Sequence, residues 1–454
     1  MVAIPAVYLG IPYRVNAAEL RGMDPTGIKE ATNTMKKLAA ILGTFLILSS
    51  FLFPLSGCSI DAGKAPARIV VPAEAADLML GIKPNRVDVT IDISENSLAA
   101  IDFTVKLFQK SVSSKENSMI SPLSVLCALA MVANGADGNT RTQMESTLGF
   151  SVEDLNLYIY AYMQSIASES DVIFNIANSI WFKDDALAVE REFLQLNADY
   201  YGAAINKAPF DDSTLKAIND WVNDNTNGMI KEILDGIPDD VVMYLVNVIV
   251  FDAEWQEKYN EDQVRLGTFT SITGAKRDVQ MMYSTEGIYL YDGHATGFMK
   301  YYEGGRYAFA ALLPNENISI DNYIKTLSGQ GLYKTISNAR YTTVYTSLPK
   351  FESEYDIEMC DILRSMGMRD AFGPGANFSK IGPSTDLSIS NVKHKTFISV
   401  DERGTKAGAV TVIEVVRSTS ASPFPTVYLN RPFVYMIIDC ETNLPIFIGT
   451  VLDL

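Results

Sequence analysis

The chain contains two histidines, His294 and His394, so any Ser-His-Asp triad has to use one of them and a zinc site of the H-E-x-x-H kind is impossible. No G-x-S-x-G elbow, P-loop, G-x-G-x-x-G fingerprint or paired C-x-x-C occurs. Ser347 and Lys350, in "SLPK", have Ser-x-x-Lys spacing, but Pro349 lies between them in a strand-like segment and chance accounts for the pattern. Acidic residues crowd "DDST" and "IPDDVV", which read as solvated loop and helix ends rather than a buried carboxylate pair. Cys127, Cys360 and Cys440 sit in apolar segments at no metal-like spacing and read as free, mostly buried thiols. These residues offer no catalytic constellation, no metal site and no cofactor, and the chain is not expected to be an enzyme.

The elements that could position other chemistry are more informative. At 454 residues, 48% hydrophobic and 20% charged, the chain can bury a large core. Its net charge of -17 argues against a nucleic-acid partner, which would need clustered Lys and Arg. "MKKLAAILGTFLILSSFLFPLSGC", Met35 to Cys58, reads as a secretory signal: two lysines, an apolar stretch, then small residues. Leu55-Ser56-Gly57-Cys58 resembles the lipobox of bacterial lipoproteins, which implies a lipidated Cys58 and an exported protein held on the outer membrane face or shed from it. Residues 1–34 are then an extension or a mis-called start, 35–57 the signal, 58–95 the lipidated Cys and a flexible tether, and 96–454 the folded domain.

Within that domain "SLAAIDFTVKLFQKSV" has apolar residues at helical spacing, and "SPLSVLCALAMVANGA" opens with the Ser-Pro of a helix N-terminus. Later runs read as strands: "VVMYLVNVIVF", "YAFAALLP", "TTVYTSLPKF", "DLSISNVKHKTFISV", "RPFVYMIIDC" and "PIFIGTVLDL". Helices followed by strands, without β-α alternation or repeats, predict an α+β domain with antiparallel sheets.

Several segments together resemble the serpin family, in order from about Ser97 to Leu454. "NSMISPLSVLCALAMVANGADGNTRTQM" carries Asn117, Ser121, Pro122, Ser124, Gly135 and Thr140 at the family's characteristic places. "INDWVNDNTNGMI", "LVNVIVFDAEW" with Asn247 and Trp255, "LPKFESEYD", "MGMRDAF", "NRPFVYMI" and "PIFIGTVLD" are each similar to a serpin signature. The resemblance implies helices packed on a large mixed or antiparallel sheet, two smaller sheets and an exposed reactive-centre loop. It also implies a shutter beneath the main sheet, in which His394 hydrogen-bonds Asn247 in a cluster with Ser121 and Ser124. His294 has no comparable support and reads as a surface or strand-end residue.

"GTKAGAVTVIEVV", Gly404 to Val416, has the makeup of a strand but stands between loop-like "DER" and "RSTSASPFP". Thr405, Ala407, Ala409 and Thr411 alternate with Lys406, Gly408, Val410 and Val412, and the first set is small enough to enter an existing sheet. By resemblance, Glu402, Gly404, Thr405, Lys406, Ala407, Gly408, Ala409 and Val410 are the hinge of the reactive-centre loop. A serine protease that cuts this loop is then trapped as its acyl-enzyme while the freed strand inserts, with about fifteen residues at roughly 3.3 Å each giving some 50 Å of travel. Lys406 departs from the acidic residue common there but faces outward. The usual loop length places the reactive bond at Ser418–Thr419, suiting an elastase-like or subtilisin-like enzyme; the alternative is Arg417–Ser418 and a trypsin-like one. A monomer that forms a covalent complex with its target protease is expected, with a non-inhibitory binding or chaperone module as the other possibility.

Overall fold

The structure, a computed structural model, describes residues 75–89, 91–166, 172–184, 188–383, 387–405 and 423–454. The signal, Cys58, the segment 406–422 and its candidate bonds at Arg417, Ser418 and Thr419 lie outside the described residues. Chain contacts divide at Val70 and Val71, and every described residue belongs to the second unit.

Six helices lie in the first half of the described chain: α1 (Ile93–Ser111), α2 (Pro122–Ala133), α3 (Gly138–Leu148), α4 (Val152–Ile166), α5 (Arg191–Tyr201) and α6 (Asp212–Asn225). Three shorter ones follow: α7 (Ile320–Thr326), α8 (Gly329–Ser337) and α9 (Cys360–Met366). Helix α1 begins ahead of the periodic stretch at Ser97, because the Asp92 side chain caps it by accepting from Ser94 N at 2.8 Å. Helix α2 starts at the expected Ser-Pro: Ser121 is the cap and Pro122 the first helical residue. Every residue of α2 is buried, which its uniformly apolar sequence requires.

Strands β1 (Ala76–Asp77), β2 (Ser118–Ile120), β3 (Ile173–Lys183), β4 (Ala204–Ala208) and β5 (Met243–Glu254) alternate with these helices. Then come β6 (Val264–Thr270), β7 (Lys276–Tyr291), β8 (Ala295–Tyr301), β9 (Tyr307–Pro314), β10 (Arg340–Pro349) and β11 (Phe351–Glu358). The last are β12 (Asn391–Val400), β13 (Gly404–Thr405), β14 (Thr426–Tyr428), β15 (Phe433–Asp439) and β16 (Leu444–Val451). The main sheet runs β1-β4-β3-β5-β13-β12-β11. The second runs β14-β10-β7-β8-β9-β15-β16-β2, with β6 beside β7. The two smaller sheets that the resemblance implies are thus continuous here, since β7 is long enough to pair with β6 through its first half and with β8 through its second.

The large core fills the space between the sheets and includes Leu245, Ile249, Phe251 and Ala253 of β5. The intervening Tyr244, Val246 and Val248 join a smaller cluster with Ile218 and Val222 of α6 on the opposite face. A strand covered on both faces has no reason to alternate, which is why β5 reads as one apolar run. Part of the stretch assigned to a flexible tether is fixed to the domain instead. Ala76 and Asp77 pair with β4, Asn85 N donates to Asp199 Oδ1 at 2.7 Å, and Gln195 donates to the Lys83 carbonyl at 2.8 Å. Edge pairing by a two-residue strand leaves no periodic trace in a sequence.

Candidate functional site

The central strands of the main sheet, β5 and β12, run parallel and pair directly over four positions, from Tyr244–Asn391 to Asn247–His394. Six residues farther along both strands, at Ala253 and Val400, the ladder resumes through Thr405 of β13, which is antiparallel to each. In the interval lies a cavity lined by Ile249, Val250 and Phe251 on one side and Phe397, Ile398 and Ser399 on the other, with Thr405 at its end.

His394 and Asn247 stand at the last direct pair. His394, 1% exposed, accepts the Ser121 backbone N–H on Nε2 at 2.9 Å. Ser121 Oγ in turn accepts from Ser124 N at 3.4 Å and donates to the Ile446 carbonyl at 2.8 Å. Burial pushes the His394 imidazole down to about 3, so the ring is neutral. An acceptor at Nε2 places the proton on Nδ1, so the ring neither carries charge nor has a base free to take a proton.

The expected His394–Asn247 hydrogen bond is not formed. Asn247 Nδ2 donates to Asn178 Oδ1 on the neighbouring β3, while among the described residues Asn247 Oδ1 and His394 Nδ1 have no hydrogen-bond partner. Ser124 takes part through its backbone N–H, and its own Oγ has no partner. Asn178 was not among the expected residues. "FNIANSIWF" did place polar Asn178 in an apolar strand-like run, but only the β3–β5 register shows that it meets Asn247.

At the other end, Trp255 N–H donates to the Arg403 carbonyl at 2.8 Å, its indole Nε1–H to the Asp401 carbonyl at 2.8 Å, and Tyr259 N–H to the Glu402 carbonyl at 2.9 Å. Burial alone would raise the Glu402 carboxyl, but its ion pair with Lys350 holds it below the usual range. Thr405, buried, shares a hydrogen bond with the Tyr302 hydroxyl at 2.7 Å. Gly404 is forced by close approach, because a Cβ there would stand 2.1 Å from the Ala253 carbonyl oxygen. Of the expected hinge, Gly404 and Thr405 are therefore wedged between β5 and β12 and Glu402 is held in the turn that leads into them; Lys406, Ala407, Gly408, Ala409 and Val410 lie outside the described residues. Tyr259 and Tyr302 carried no sequence signal.

The remaining residues behave as supports. Asn117 ties down the C-terminus, donating to the Asp453 carbonyl at 2.8 Å and accepting from Leu452 N at 2.7 Å. Thr140 Oγ1 accepts from Asn377 N at 2.9 Å, and Gly135 leaves room for Ile381, whose Cγ1 would lie 2.1 Å from a Cβ. His294 is exposed between β7 and β8. Cys127 and Cys360 are free and buried, and Cys440 is free and half-buried.

A main sheet whose middle strands are joined at one end and wedged apart at the other by Gly404 and Thr405, with a cavity between them among the described residues, defines an α+β protein with room at its centre for a further strand. The chain belongs to the serpin family of serine protease inhibitors, whose profile matches residues 98–454. It is 27% identical to neuroserpin of Homo sapiens over 78% of this chain and 90% of that one. It resembles the crystal structure of tengpin, a thermophilic serpin, in its native state, with 50% identity, a TM-score of 0.80, and coverage of 84% of this chain and 100% of that one. Against tengpin in the latent state, at 49% identity over 82% of this chain and 100% of that one, the TM-score falls to 0.71. At nearly equal identity, the backbone is the nearer to the native form.

Proposed function

We propose that this chain inhibits a serine protease as a suicide substrate. The protease serine attacks a loop carbonyl, the peptide bond breaks, the new amine leaves with its proton, and an ester joins the enzyme to the inhibitor. The freed strand then enters the main sheet before water can cleave that ester.

The observation that carries this reading is the matched register at the two ends of the cavity. A strand continued antiparallel from Thr405 stays in step with both neighbours and brings Thr411 opposite Asn247 and His394, because both intervals are six residues. Ala407 would then lie beside Phe251 and Ile398, and Ala409 beside Ile249 and Thr396, facing the large core where small side chains fit. Lys406 would lie on the other face beside Asp252 of β5, which gives its unusual charge a counterpart. The Asn247–His394 pair must part before Thr411 can pass, which supports a latch role for the shutter.

A small residue, Ser418, on the amino side of the Ser418–Thr419 bond favours an elastase-like or subtilisin-like target. Mixing the chain with elastase-like and trypsin-like proteases separately tests this. A detergent-stable complex with a released peptide beginning at Thr419 is expected. A peptide beginning at Ser418 would move the target to trypsin-like enzymes, and cleavage with no complex from either would leave a binding module.

The "LSGC" sequence supports anchoring through a lipidated Cys58, which would hold the inhibitor on the outer membrane face. The variant C58A is expected to move from the membrane to the soluble fraction; retention with membranes would refute the anchor.

A further inference from the structure

Beneath the residues that hold the hinge lies a charge that the insertion scheme does not use. Lys300, at the end of β8, is 4% exposed, and its Nζ is 3.0 Å from Glu286 Oε1. The same ammonium lies 4.5 Å from the ring centre of Tyr259 and 5.7 Å from that of Trp255. A carboxylate on one side and two aromatic faces on the other attract the ammonium and fix its place. Glu286 Oε1 also accepts from Ser284 Oγ at 2.5 Å, and Ser284 shares a hydrogen bond with Thr346 at 2.8 Å, so the carboxylate is itself fixed.

Trp255 and Tyr259 are the residues whose N–H groups hold the carbonyls of Asp401, Glu402 and Arg403. Trp255 also stacks on Tyr302 at 4.5 Å between centroids, and Tyr302 binds Thr405. One ammonium therefore touches both residues from which the hinge root hangs. We propose that Lys300, clamped by Glu286, is a positioning residue that sets how readily the hinge is released into the main sheet. This rests on the insertion reading above and adds to it an internal control of the barrier. With the ammonium gone, both rings lose their shared contact and the largely buried Glu286 carboxylate is left without its cation. The backbone grip on Asp401 to Arg403 then loosens while the backbone ladder between β15 and β16 is kept.

The test uses the full chain as wild type, K300M, E286Q, K300R and the surface control K216M, whose lysine pairs with the exposed Asp220. Native-state hydrogen exchange is followed at the amides of Trp255 and Tyr259 and, for reference, in β15 and β16. Spontaneous conversion to a urea-resistant, inserted form is followed on urea-gradient gels. In K300M and E286Q the two hinge-holding amides should exchange at least about tenfold faster with β15 and β16 unchanged, and conversion should accelerate with them. K300R and K216M should stay near wild type. Unchanged exchange in E286Q and K300M, or an equal increase throughout the molecule, would overturn the proposal. If K300M does not fold, E286Q and K300R carry the comparison. Exchange and conversion need no protease, so a chain that traps no protease yet shows the local effect would refute inhibition alone. A chain that traps protease without the local effect would refute only the role of Lys300.

Discussion

At the scale of single residues, His394 links native stability to acidity. Its unfolded value of 6.5 falls to about 3 in the fold because burial disfavours the imidazolium. Between those values the unfolded chain binds the proton and the folded chain does not, so native stability declines as pH falls from about 6.5 toward 3 and is unaffected by this group above that window. The full loss is on the order of several kcal/mol. The variant H394F should flatten that part of the pH dependence, measured as urea midpoints at successive pH values. It should also cost about 1–3 kcal/mol at neutral pH through the unpaired Ser121 N–H. An unchanged acid slope would contradict this role. His394, Asn247, Ser121 and Ser124 were legible because they fall in recognisable segments. Asn178, Tyr259 and Tyr302 were not, since a lone Asn or Tyr in an apolar stretch has no spacing to betray it, and each acquires its role only when separate strands come into register.

Among the elements, β13 matters beyond its two residues, because it holds β5 and β12 at the distance that a further strand needs. The variant G404A puts a methyl into the Ala253 carbonyl and should expel the wedge, lowering native stability by about 1–3 kcal/mol through lost ladder bonds. It should also make the chain more often a cleaved substrate than a trap. The stoichiometry of inhibition measures this, and a wild-type value would argue against β13 as the point of entry. Strands β5, β9, β15 and β16 could be read from sequence because burial on both faces, or in the large core, leaves long apolar runs. Strand β7, "KRDVQMMYSTEGIYLY", could not, because its exposed face and its change of partners break both periodicities. The pause between β10 and β11 at Lys350 was likewise hidden in one apparent strand, "TTVYTSLPKF", and that pause is what lets Lys350 reach Glu402.

For the molecule as a whole, the described residues of the main sheet have two closed ends and a lined gap with room for one further strand. If segment 406–422 is that strand, the intact chain is not at its lowest free energy and a single cut in the segment releases it. About ten new ladder bonds at ~1 kcal/mol each would be gained. In a domain of this size each kcal/mol raises the unfolding midpoint by a little over ~1 °C. The direct measurement is the thermal unfolding midpoint of the chain before and after one proteolytic cut within residues 406–422. A rise of roughly 10 °C or more is predicted, whereas a midpoint that stays level or falls would contradict completion of the sheet by the loop.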